Sequence, residues 1–275
     1  MPSFIERLLF PAPRLDLAAL GRRLEGRTVL VTGASFGIGE QVARIAGRAG
    51  ARVLLVARTA SRLEEVAADI AADGGIAQGL PCDFSDGAAV ERLAAALPAV
   101  DIFVSNAGKS IRRPILASLG RPQDVTRTGA INYLAPCRLA LAAMPGLVAR
   151  KGQIINVSAA NVLLPPAPGW AAYQASKTAF DQWLRSAAPE LRAVGVAVSS
   201  IYLPLVRTRM IAPTRSYDRV PAMSPEHAAH HVAAAILTRS RRWRPWWLPP
   251  VQLAAALAGS AWEPLAEHRA QSAVR

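Results

Sequence analysis

Short apolar runs alternate with longer segments along most of the chain, from residue 27 onward. The runs are rich in Val, Ile and Leu, whereas apolar residues in the longer segments recur every three to four positions, which is the period of a helix. This alternation of strand and helix indicates parallel strands joined by crossover helices. The strands that the pattern predicts lie at about 27–32, 52–57, 76–81, 100–105, 153–158 and 196–203.

Three of these runs, RTVLVT, RVLLVA and QIINVS, are apolar at successive rather than alternate positions. Such runs are typical of strands that are covered on both faces. We therefore predict an α/β fold, a doubly wound parallel β-sheet of six to seven strands flanked by helices, in a single domain at 26–240. Prolines bracket this domain, so we expect an N-terminal helical extension at 1–25 and a C-terminal extension, an edge strand or helix, at 241–275.

With 275 residues, of which 52% are hydrophobic, the chain is long enough to bury a large core. Its 32 Lys and Arg residues outnumber 19 Asp and Glu, and the formal charge of +13 comes almost entirely from arginine. An excess of this kind favours nucleic acid, anionic lipid or phosphorylated small molecules as partners. Because the arginines are scattered, and only 239–247 mixes them with aromatic residues, nucleic acid is not an expected partner.

The cysteines and the N-terminus bear on the cellular compartment. Cys82 and Cys137 are far apart and form no disulfide framework, so two free thiols are expected. The N-terminal MPSFIERLLFPAP has an acidic residue and prolines where a signal peptide needs an unbroken apolar core, and no charge-free run is long enough to span a bilayer. We predict a cytoplasmic protein, either free or peripheral to the inner membrane.

A glycine-rich turn, TGASFGIGE at 32–40, follows the first predicted strand and precedes a helical segment. Its glycines let the backbone turn tightly and let a pyrophosphate approach main-chain N–H groups at the start of the helix. This context predicts a dinucleotide site, and a tight turn without a ligand is the alternative. The cofactor contacts predicted here are Gly33, Ser35, Phe36, Gly37, Ile38 and Gly39.

Arg58 stands at the end of the second predicted strand, with Arg62 nearby, where dinucleotide sites contact the adenine ribose. An acidic residue there would accept a hydrogen bond from the 2′-hydroxyl of NAD, whereas a guanidinium binds a 2′-phosphate in a bidentate fork. The sequence thus favours NADP(H) as the cofactor. The alternative is that Arg58 is a solvated strand end.

The segment WAAYQASKT at 170–178 places Tyr173 and Lys177 four residues apart. On a helix this spacing puts both side chains on one face, where a phenol and an ammonium can share a site. The pair alone is weak support for catalysis, because an ordinary solvated helix face produces the same spacing.

The chain resembles the short-chain dehydrogenase/reductase family over 27 to about 210, through four motifs in order: TGASFGIG at 32–39, SNAG at 105–108, Ser158 and YQASK at 173–177. The resemblance implies a Rossmann-type fold and an enzyme that transfers a hydride between NADP(H) and a carbonyl or hydroxyl group. The catalytic set that it implies is Asn132, Ser158, Tyr173 and Lys177. The further cofactor contacts that it implies are Asp83, Asn106, Ala107, Gly108, Tyr173, Lys177, Pro204 and Thr208.

The resemblance also implies a role for each catalytic residue. A phenol has an ordinary pKa of about 10, and the ammonium of Lys177 is expected to lower the pKa of Tyr173 toward neutrality, so that Tyr173 acts as general acid or base. Ser158 would donate a hydrogen bond to the substrate oxygen as negative charge builds there. Lys177 would also hold the nicotinamide ribose, and Asn132 would position a water that links Lys177 to solvent.

Apolar residues dominate the predicted substrate pocket, which suits a long, lipid-like carbonyl compound better than a sugar. The segments 204–214 and 216–222 also resemble bacterial long-chain acyl-CoA reductases, so we expect a fatty acyl-CoA, fatty aldehyde or 3-oxoacyl substrate. A ketosteroid or other bulky ketone, or a catalytically silent NADP-binding protein, are the alternatives. The predicted walls are Leu163, Leu164, Trp170, Leu205, Val206, Met210 and Ile211.

Both ends of the chain carry segments that suit a lipid interface, FIERLLF at 4–10 and RSRRWRPWWLPP at 239–250. The second segment is therefore a candidate for peripheral membrane contact. A last edge strand with an oligomer contact is the alternative for it, and the family resemblance implies a homodimer or homotetramer.

Three histidines, His227, His230 and His231, follow a Ser224 that is suited to cap a helix. Their spacing would allow metal binding, but no carboxylate or cysteine is evidently placed to complete the coordination sphere. We predict an ordinary helix face and no metal site.

Overall fold

The structure, a computed structural model, describes residues 4–212, 214, 217, 219–264 and 266–268. Its strands are β1 (Thr28–Thr32), β2 (Arg52–Ala57), β3 (Ile76–Pro81), β4 (Ile102–Ser105), β5 (Gln153–Ala159), β6 (Ala197–Leu203) and β7 (Arg242–Trp243). Its α-helices are α1 (Phe4–Leu9), α2 (Leu17–Leu24), α3 (Gly37–Arg48), α4 (Ala60–Ala72), α5 (Gly87–Ala95), α6 (Gln123–Gly129), α7 (Ala135–Ala149), α8 (Ala171–Ala193), α9 (Pro225–Thr238) and α10 (Leu248–Ala258).

The seven strands form one parallel sheet in the order β3-β2-β1-β4-β5-β6-β7, with helices on both faces. The predicted fold class is therefore confirmed, and the six predicted strands begin and end within two residues of their expected positions. The seventh strand, β7, pairs with β6 through only two residues, Arg242 opposite Ser200 and Trp243 opposite Ile201.

Neighbouring residues of the central strands pack into two different cores. Val29 and Val31 of β1 lie in a cluster with residues of α3 and α9, whereas Leu30 lies in a cluster with residues of α7 and α8. Because successive side chains of a strand point to opposite faces, a strand covered on both sides needs apolar residues at every position. This is the physical reason for the uninterrupted apolar runs in the sequence.

The order of the sheet reverses at β1, which lies between β2 and β4. In an open parallel sheet the helices that follow the two halves leave on opposite sides at such a point, and a crevice opens beyond the carboxyl ends of the strands. The glycine-rich turn after β1 and the SNAG segment after β4 both lie at this edge. The topology thus brings together motifs that are about seventy residues apart.

One helix among the described residues, Gln123–Ala149, is long and apolar enough by length and composition to cross a membrane, and 44% of its most apolar window is buried. It comprises α6, a π-helical turn (Ala130–Leu134) and α7. Leu139, Ala143 and Leu147 of this helix belong to the core on one side of the sheet.

The chain ends pack onto the sheet domain at a few points. Leu20 and Leu24 of α2 are fully buried beside residues of α9, and Phe10 is also buried in that cluster. At the other end, Leu248 is buried against Tyr202 of β6, but it is the one buried residue of α10. Most of α10 therefore faces outward.

The histidine segment begins as expected, because Ser224 Oγ accepts a hydrogen bond from His227 N at 3.1 Å. His231, however, is buried, and its ring centroid lies 3.9 Å from that of Trp243 and 5.2 Å from that of His227. The three histidines lie on one helix, α9, as predicted, but the face that carries His231 packs inward. Burial, followed by the charges of His227 and His230, lowers the pKa of His231 to about 3, so it is neutral at physiological pH.

Candidate active site

A cleft of about 730 Å³ opens at the carboxyl edge of the sheet, which is a volume typical of small-molecule sites. It brings together most of the residues that the sequence predicts for cofactor binding and catalysis. Those that line it are Gly33, Phe36, Gly37, Ile38, Arg58, Asn106, Ala107, Gly108, Ser158, Tyr173, Lys177, Pro204 and Thr208. The predicted residues that do not line it are Ser35, Gly39, Asp83 and Asn132.

The glycine-rich turn is shaped by close backbone contacts. Gly33 has φ +67°, and a Cβ there would lie 2.9 Å from Asn106 Nδ2 and from the Cα of Ala107. A Cβ at Gly39 would lie 2.3 Å from Gly33 O, so Gly39 is needed for the packing of the turn rather than for lining the cleft. Phe36 precedes α3 and has no side-chain acceptor, so the first N–H groups of α3 remain available to an anion.

Asn106 joins this turn to the end of β4. Its Nδ2 donates to Thr32 O at 2.9 Å and to Gly33 O at 3.3 Å, and its backbone N donates to Thr32 Oγ1 at 3.0 Å. Ala107 N donates to the same hydroxyl at 3.1 Å. These hydrogen bonds hold the two neighbouring strand ends in register on either side of the crevice.

The arginines near the adenine end differ in what they contact. Arg62 is occupied, because its Nε donates to Ser35 O at 3.0 Å and its Nη2 donates to Glu40 Oε1 at 3.1 Å, with a further ion pair to Glu65. Arg58 is exposed and lines the cleft. Of these two arginines, Arg58 is therefore the one whose guanidinium can meet a phosphate.

Asp83 lies outside the cleft lining, and its Oδ1 accepts from Ser85 N at 2.9 Å and Ser85 Oγ at 2.7 Å. Burial acts to raise the pKa of Asp83, but the hydrogen bonds from Ser85 and the charges of Arg58 and Arg127 outweigh it and lower the pKa below its ordinary value. The carboxylate is thus held ionised next to Arg58.

A third arginine at this end was not anticipated from the sequence. The Arg209 guanidinium lies 3.6 Å from the centroid of the Phe36 ring, and the Arg62 guanidinium lies 4.9 Å from it. Arg209 lines the cleft and is exposed. The cation–π contact places positive charge above the glycine-rich turn, where a phosphate would be stabilised.

Asn132 sits on the π-helical turn between α6 and α7, a local widening that is frequent at functional sites. Its Oδ1 accepts from Lys109 N at 2.7 Å, and its Nδ2 donates to Lys109 O at 2.9 Å and to Ser176 Oγ at 2.9 Å. Asn132 Oδ1 and Lys177 Nζ both flank Gly108, where a Cβ would lie 3.4 Å and 3.3 Å from them. Asn132 is buried behind Gly108, next to the lysine.

Tyr173, Lys177 and Ser158 come together on the substrate side of the cleft. Lys177 Nζ donates a hydrogen bond at 3.2 Å to the carbonyl oxygen of Val157, the residue before Ser158. Ser158 Oγ is buried and has no hydrogen-bond partner among the residues that the structure describes. A buried hydroxyl without a partner is costly, so a group that binds in the cleft and accepts its hydrogen bond would be favoured.

The structure reverses the expected direction of the pKa of Tyr173. Burial, with a smaller contribution from Tyr217, raises the pKa of Tyr173 to about 12. Burial also lowers the pKa of Lys177 to about 8, although the charge of Asp181 opposes this change. Loss of water penalises the charged form of each group. This cost exceeds the stabilisation of the phenolate by the ammonium that the spacing of Tyr173 and Lys177 suggests. At neutral pH the phenol is protonated and the amine is mainly an ammonium.

The substrate walls agree only in part with the prediction. Five of the seven predicted residues line the cleft: Trp170, Leu205, Val206, Met210 and Ile211. Leu163 and Leu164 do not, which corrects the prediction, because a 3₁₀ turn (Ala160–Leu163) turns this segment onto Tyr202 and Leu248. Gln174 holds the segment there, donating to Asn161 O at 2.6 Å and to Leu164 O at 3.2 Å.

Three further walls come from the chain ends, namely Leu9, Phe10 and Trp247. In the sequence, the segments that contain them stand out only by their amphipathic and aromatic composition. No local pattern relates residue 10 to residue 247, so their meeting at the cleft could not be read from the sequence. The aromatic row Tyr173, Trp170 and Tyr217, with centroids 5.6 Å and 6.3 Å apart, completes this end.

Comparison with known proteins places this geometry in context. A family model described as short chain dehydrogenase matches residues 27–218. A fatty acyl-CoA reductase of Acinetobacter baylyi is 45% identical over 232 residues, which cover 82% of this chain and 78% of that protein. A fatty acyl-CoA reductase of Mycobacterium tuberculosis is 43% identical over 227 residues, covering 81% and 77% of the two chains.

Among solved structures, a metagenomic short-chain oxidoreductase in complex with NADP is 33% identical. It superimposes with a TM-score of 0.67 and covers 80% of this chain and 97% of its own. The chain therefore shares its fold with a protein whose structure holds NADP.

Proposed function

The chain belongs to the short-chain dehydrogenase/reductase family, and we propose that it uses NADPH to reduce the carbonyl group of a long, lipid-like substrate. It is an oxidoreductase acting on carbonyl and hydroxyl groups, with NADP(H) as its cofactor. A fatty acyl-CoA or fatty aldehyde is the substrate favoured by the two relatives, which are named fatty acyl-CoA reductases, and by the apolar walls of the cleft. A 3-oxoacyl compound is a third candidate.

The residues of the cleft fit NADP(H). When bound, the cofactor supplies the hydride. The close approach at Gly33 and Gly37 leaves backbone accessible where a Cβ would fill the space, and Thr208 lies against Gly37. Arg58 would bind the 2′-phosphate, with Arg209 adding positive charge near the turn. The rest of the cofactor would be lined by Asn106, Ala107, Gly108 and Pro204.

Tyr173 acts as the proton donor in this proposal. A phenol whose pKa is about 12 is fully protonated at neutral pH, which is the form required to give a proton to the oxygen of a carbonyl as it becomes an alkoxide. Lys177, still charged below about pH 8, stabilises the phenolate that remains. Ser158 Oγ, which has no partner among the residues described, donates a hydrogen bond to the same substrate oxygen.

Asn132 is a positioning residue in this scheme. Three hydrogen bonds fix its amide between Lys109 and Ser176, which directly precedes Lys177 on α8. We expect it to hold the backbone at Lys109 and the surroundings of the Lys177 ammonium, and to anchor a water through which Lys177 regains a proton.

The observation that carries the proposal is the buried hydroxyl of Ser158, which has no hydrogen-bond partner in the described part of the chain and shares one cleft with Tyr173 and Lys177. The test is NADPH oxidation by the purified protein with long-chain acyl-CoAs, fatty aldehydes, 3-oxoacyl compounds and ketosteroids. We expect turnover of the acyl substrates that improves with chain length. Turnover confined to ketosteroids would identify the alternative substrate, and turnover confined to short polar ketones would contradict the proposal.

For assembly we propose a homodimer or a homotetramer. Leu134, Leu141 and Val148 are exposed and recur every seven residues along the helix that ends at Ala149, so they share one face. An exposed apolar stripe of this kind favours contact with a second copy. Light scattering of the wild type and of Leu141→Glu tests this, because an unchanged mass would exclude the face as the interface.

A further inference from the structure

Helix α10 is apolar and mostly uncovered. Its sequence, LPPVQLAAALA, has no charged residue, and Leu248 is its one buried residue. Leu253 and Leu257 are 62% and 80% exposed, and their spacing of four places them on one face. A helix that is apolar around most of its circumference is normally buried in a protein or a membrane. The exposed face of α10 therefore indicates a surface that binds another molecule or a membrane.

Helix α1 presents a second exposed apolar surface. Phe4 is 81% exposed, and Ile5 and Leu8 are also exposed. Its acidic residue points the other way, since Glu6 Oε1 accepts from Arg207 Nη2 at 3.0 Å and from Ala222 N at 3.2 Å. The ion pair and hydrogen bond thus anchor α1 to the loop after β6 with its apolar side chains outward.

The two surfaces meet at Trp246, whose Nε1 donates to Leu8 O at 3.0 Å while 57% of the residue stays exposed. Trp246 lies two residues before α10 begins, so this hydrogen bond holds the start of α10 beside the end of α1. We call the set Phe4, Ile5, Leu8, Trp246, Leu253 and Leu257 the terminal apolar patch.

The surroundings of the patch are basic. The segment 241–262 contains Arg241, Arg242 and Arg244 and no acidic residue or lysine. Of these, Arg241 and Arg242 are exposed, as is Arg7 on α1. Arginine and tryptophan beside an apolar surface suit the headgroup region of a bilayer, where the rings and stems reach the acyl chains and the cations meet anionic headgroups. Two copies of so basic a surface would repel each other.

The patch also borders the entrance of the cleft. Leu9, Phe10 and Trp247 line the cleft, and they are the chain neighbours of Leu8 and Trp246 in the patch. The same two segments therefore present apolar residues inward to the site and outward to the surroundings. This step rests on the proposed function, in which the substrate is lipid-like. A membrane at the patch would deliver such a substrate directly to the cleft.

We propose that the terminal apolar patch docks the protein on an anionic membrane surface, with the mouth of the cleft facing the lipid. Helices α1 and α10 lie in the interfacial region, and the exposed Arg7, Arg241 and Arg242 bind headgroups. The membrane is the occupant that the charge around the patch favours.

Co-sedimentation with vesicles tests the proposal, using phosphatidylcholine alone and a three-to-one mixture of phosphatidylcholine and phosphatidylglycerol. We expect binding to the mixed vesicles that weakens with added salt, and little binding to phosphatidylcholine. Leu253→Glu/Leu257→Glu should weaken binding at least about tenfold, because two leucines lose their place in the acyl region. The matched control is Leu116→Glu/Leu119→Glu, which alters two equally exposed leucines outside the patch and should bind like the wild type.

Three outcomes would overturn the proposal. The first is that the wild type does not bind anionic vesicles; the second is that both double variants bind alike. The third is that Leu253→Glu/Leu257→Glu instead converts an oligomer to a monomer, which would show that the patch joins two copies. NADPH oxidation with a water-soluble aldehyde, measured without vesicles, separates this inference from the proposed function. Turnover without vesicle binding would contradict only the proposed membrane contact. Vesicle binding without turnover would contradict only the proposed enzymatic function.

Discussion

The two ends of the cleft are built in different ways. The cofactor end consists mainly of backbone at neighbouring strand ends, held by glycines and by the hydrogen bonds of Asn106. The substrate end consists of side chains from segments that are remote in sequence, around Phe10, Trp170, Met210 and Trp247. The first arrangement depends on a parallel sheet and tolerates little change. The second depends on which side chains meet over the cleft.

This contrast predicts that changes at the chemical centre between the two ends have the largest effects. Tyr173→Phe removes the proton donor but keeps the ring and its contact with Trp170, so kcat/KM should fall about a thousandfold while NADPH binding, followed by nucleotide fluorescence, stays nearly unchanged. Tyr217→Phe is the matched control, since Tyr217 stacks on the same tryptophan and should keep most of the activity. Equal activity of the two variants would contradict the assignment.

A second prediction concerns stability and Lys177, which is partly buried in the wall of the cleft. Because burial lowers the pKa of Lys177 to about 8 from 10.5, the unfolded chain holds this proton between pH 8 and pH 10.5 and the folded protein does not. The free energy of unfolding therefore rises with pH across that window. Lys177→Met should be more stable than the wild type at pH 7, by on the order of 3 kcal/mol, and the difference should vanish near pH 10.5.

Denaturant unfolding at both pH values measures this difference. Lys151→Met, at an exposed position, is the control and should show no such change between the two pH values. A stability difference for Lys177→Met that does not depend on pH would mean that the ammonium carries no burial penalty.

At the cofactor end, a single strand offers a matched pair of arginines. Arg58 follows the carboxyl end of β2 and lines the cleft, whereas Arg52 begins the same strand at the opposite edge and donates to Gln78 Oε1. Arg58→Glu should raise the KM for NADPH roughly ten- to a hundredfold and affect NADH much less. Arg52→Glu should change neither. An equal loss for both nucleotides in Arg58→Glu would exclude a contact with the 2′-phosphate.

The smallest effect is expected at the walls contributed by the chain ends. Trp247→Ala should raise the KM for a fatty aldehyde by about fivefold and leave the KM for NADPH unchanged, since only apolar contact with the substrate is lost. Trp246→Ala, next to it but outside the cleft lining, is the control and should leave the KM for a soluble aldehyde unchanged. A change in the KM for NADPH would show that the two ends of the cleft are coupled.

The same contrast explains what could be predicted from the sequence. The strands and the glycine-rich turn are local patterns, so their positions followed from periodicity and from the family motifs. Leu163 and Leu164 were assigned wrongly because a short 3₁₀ turn decides which way they face. Leu9, Phe10 and Trp247 were missed because their contacts join the two chain ends.

The prediction that the pKa of Tyr173 is lowered is wrong for another reason. A spacing of four residues shows that an ammonium is near a phenol, but it does not show how much water both groups lose. The burial of His231 against Trp243 was missed in the same way, since the short strand β7 that carries Trp243 has no periodic pattern of its own. Burial of polar groups is a property of the packed structure, and it decides their charge.

The central claim is that Ser158 and Tyr173 act together on one substrate oxygen beside the bound nucleotide. A crystal structure with NADPH and a non-reactive long-chain acyl analogue tests it most directly. We predict that Ser158 Oγ and Tyr173 Oη both lie within hydrogen-bond distance of the analogue's carbonyl oxygen, with its chain running toward Phe10 and Trp247. A structure in which either hydroxyl points away from that oxygen would contradict the account.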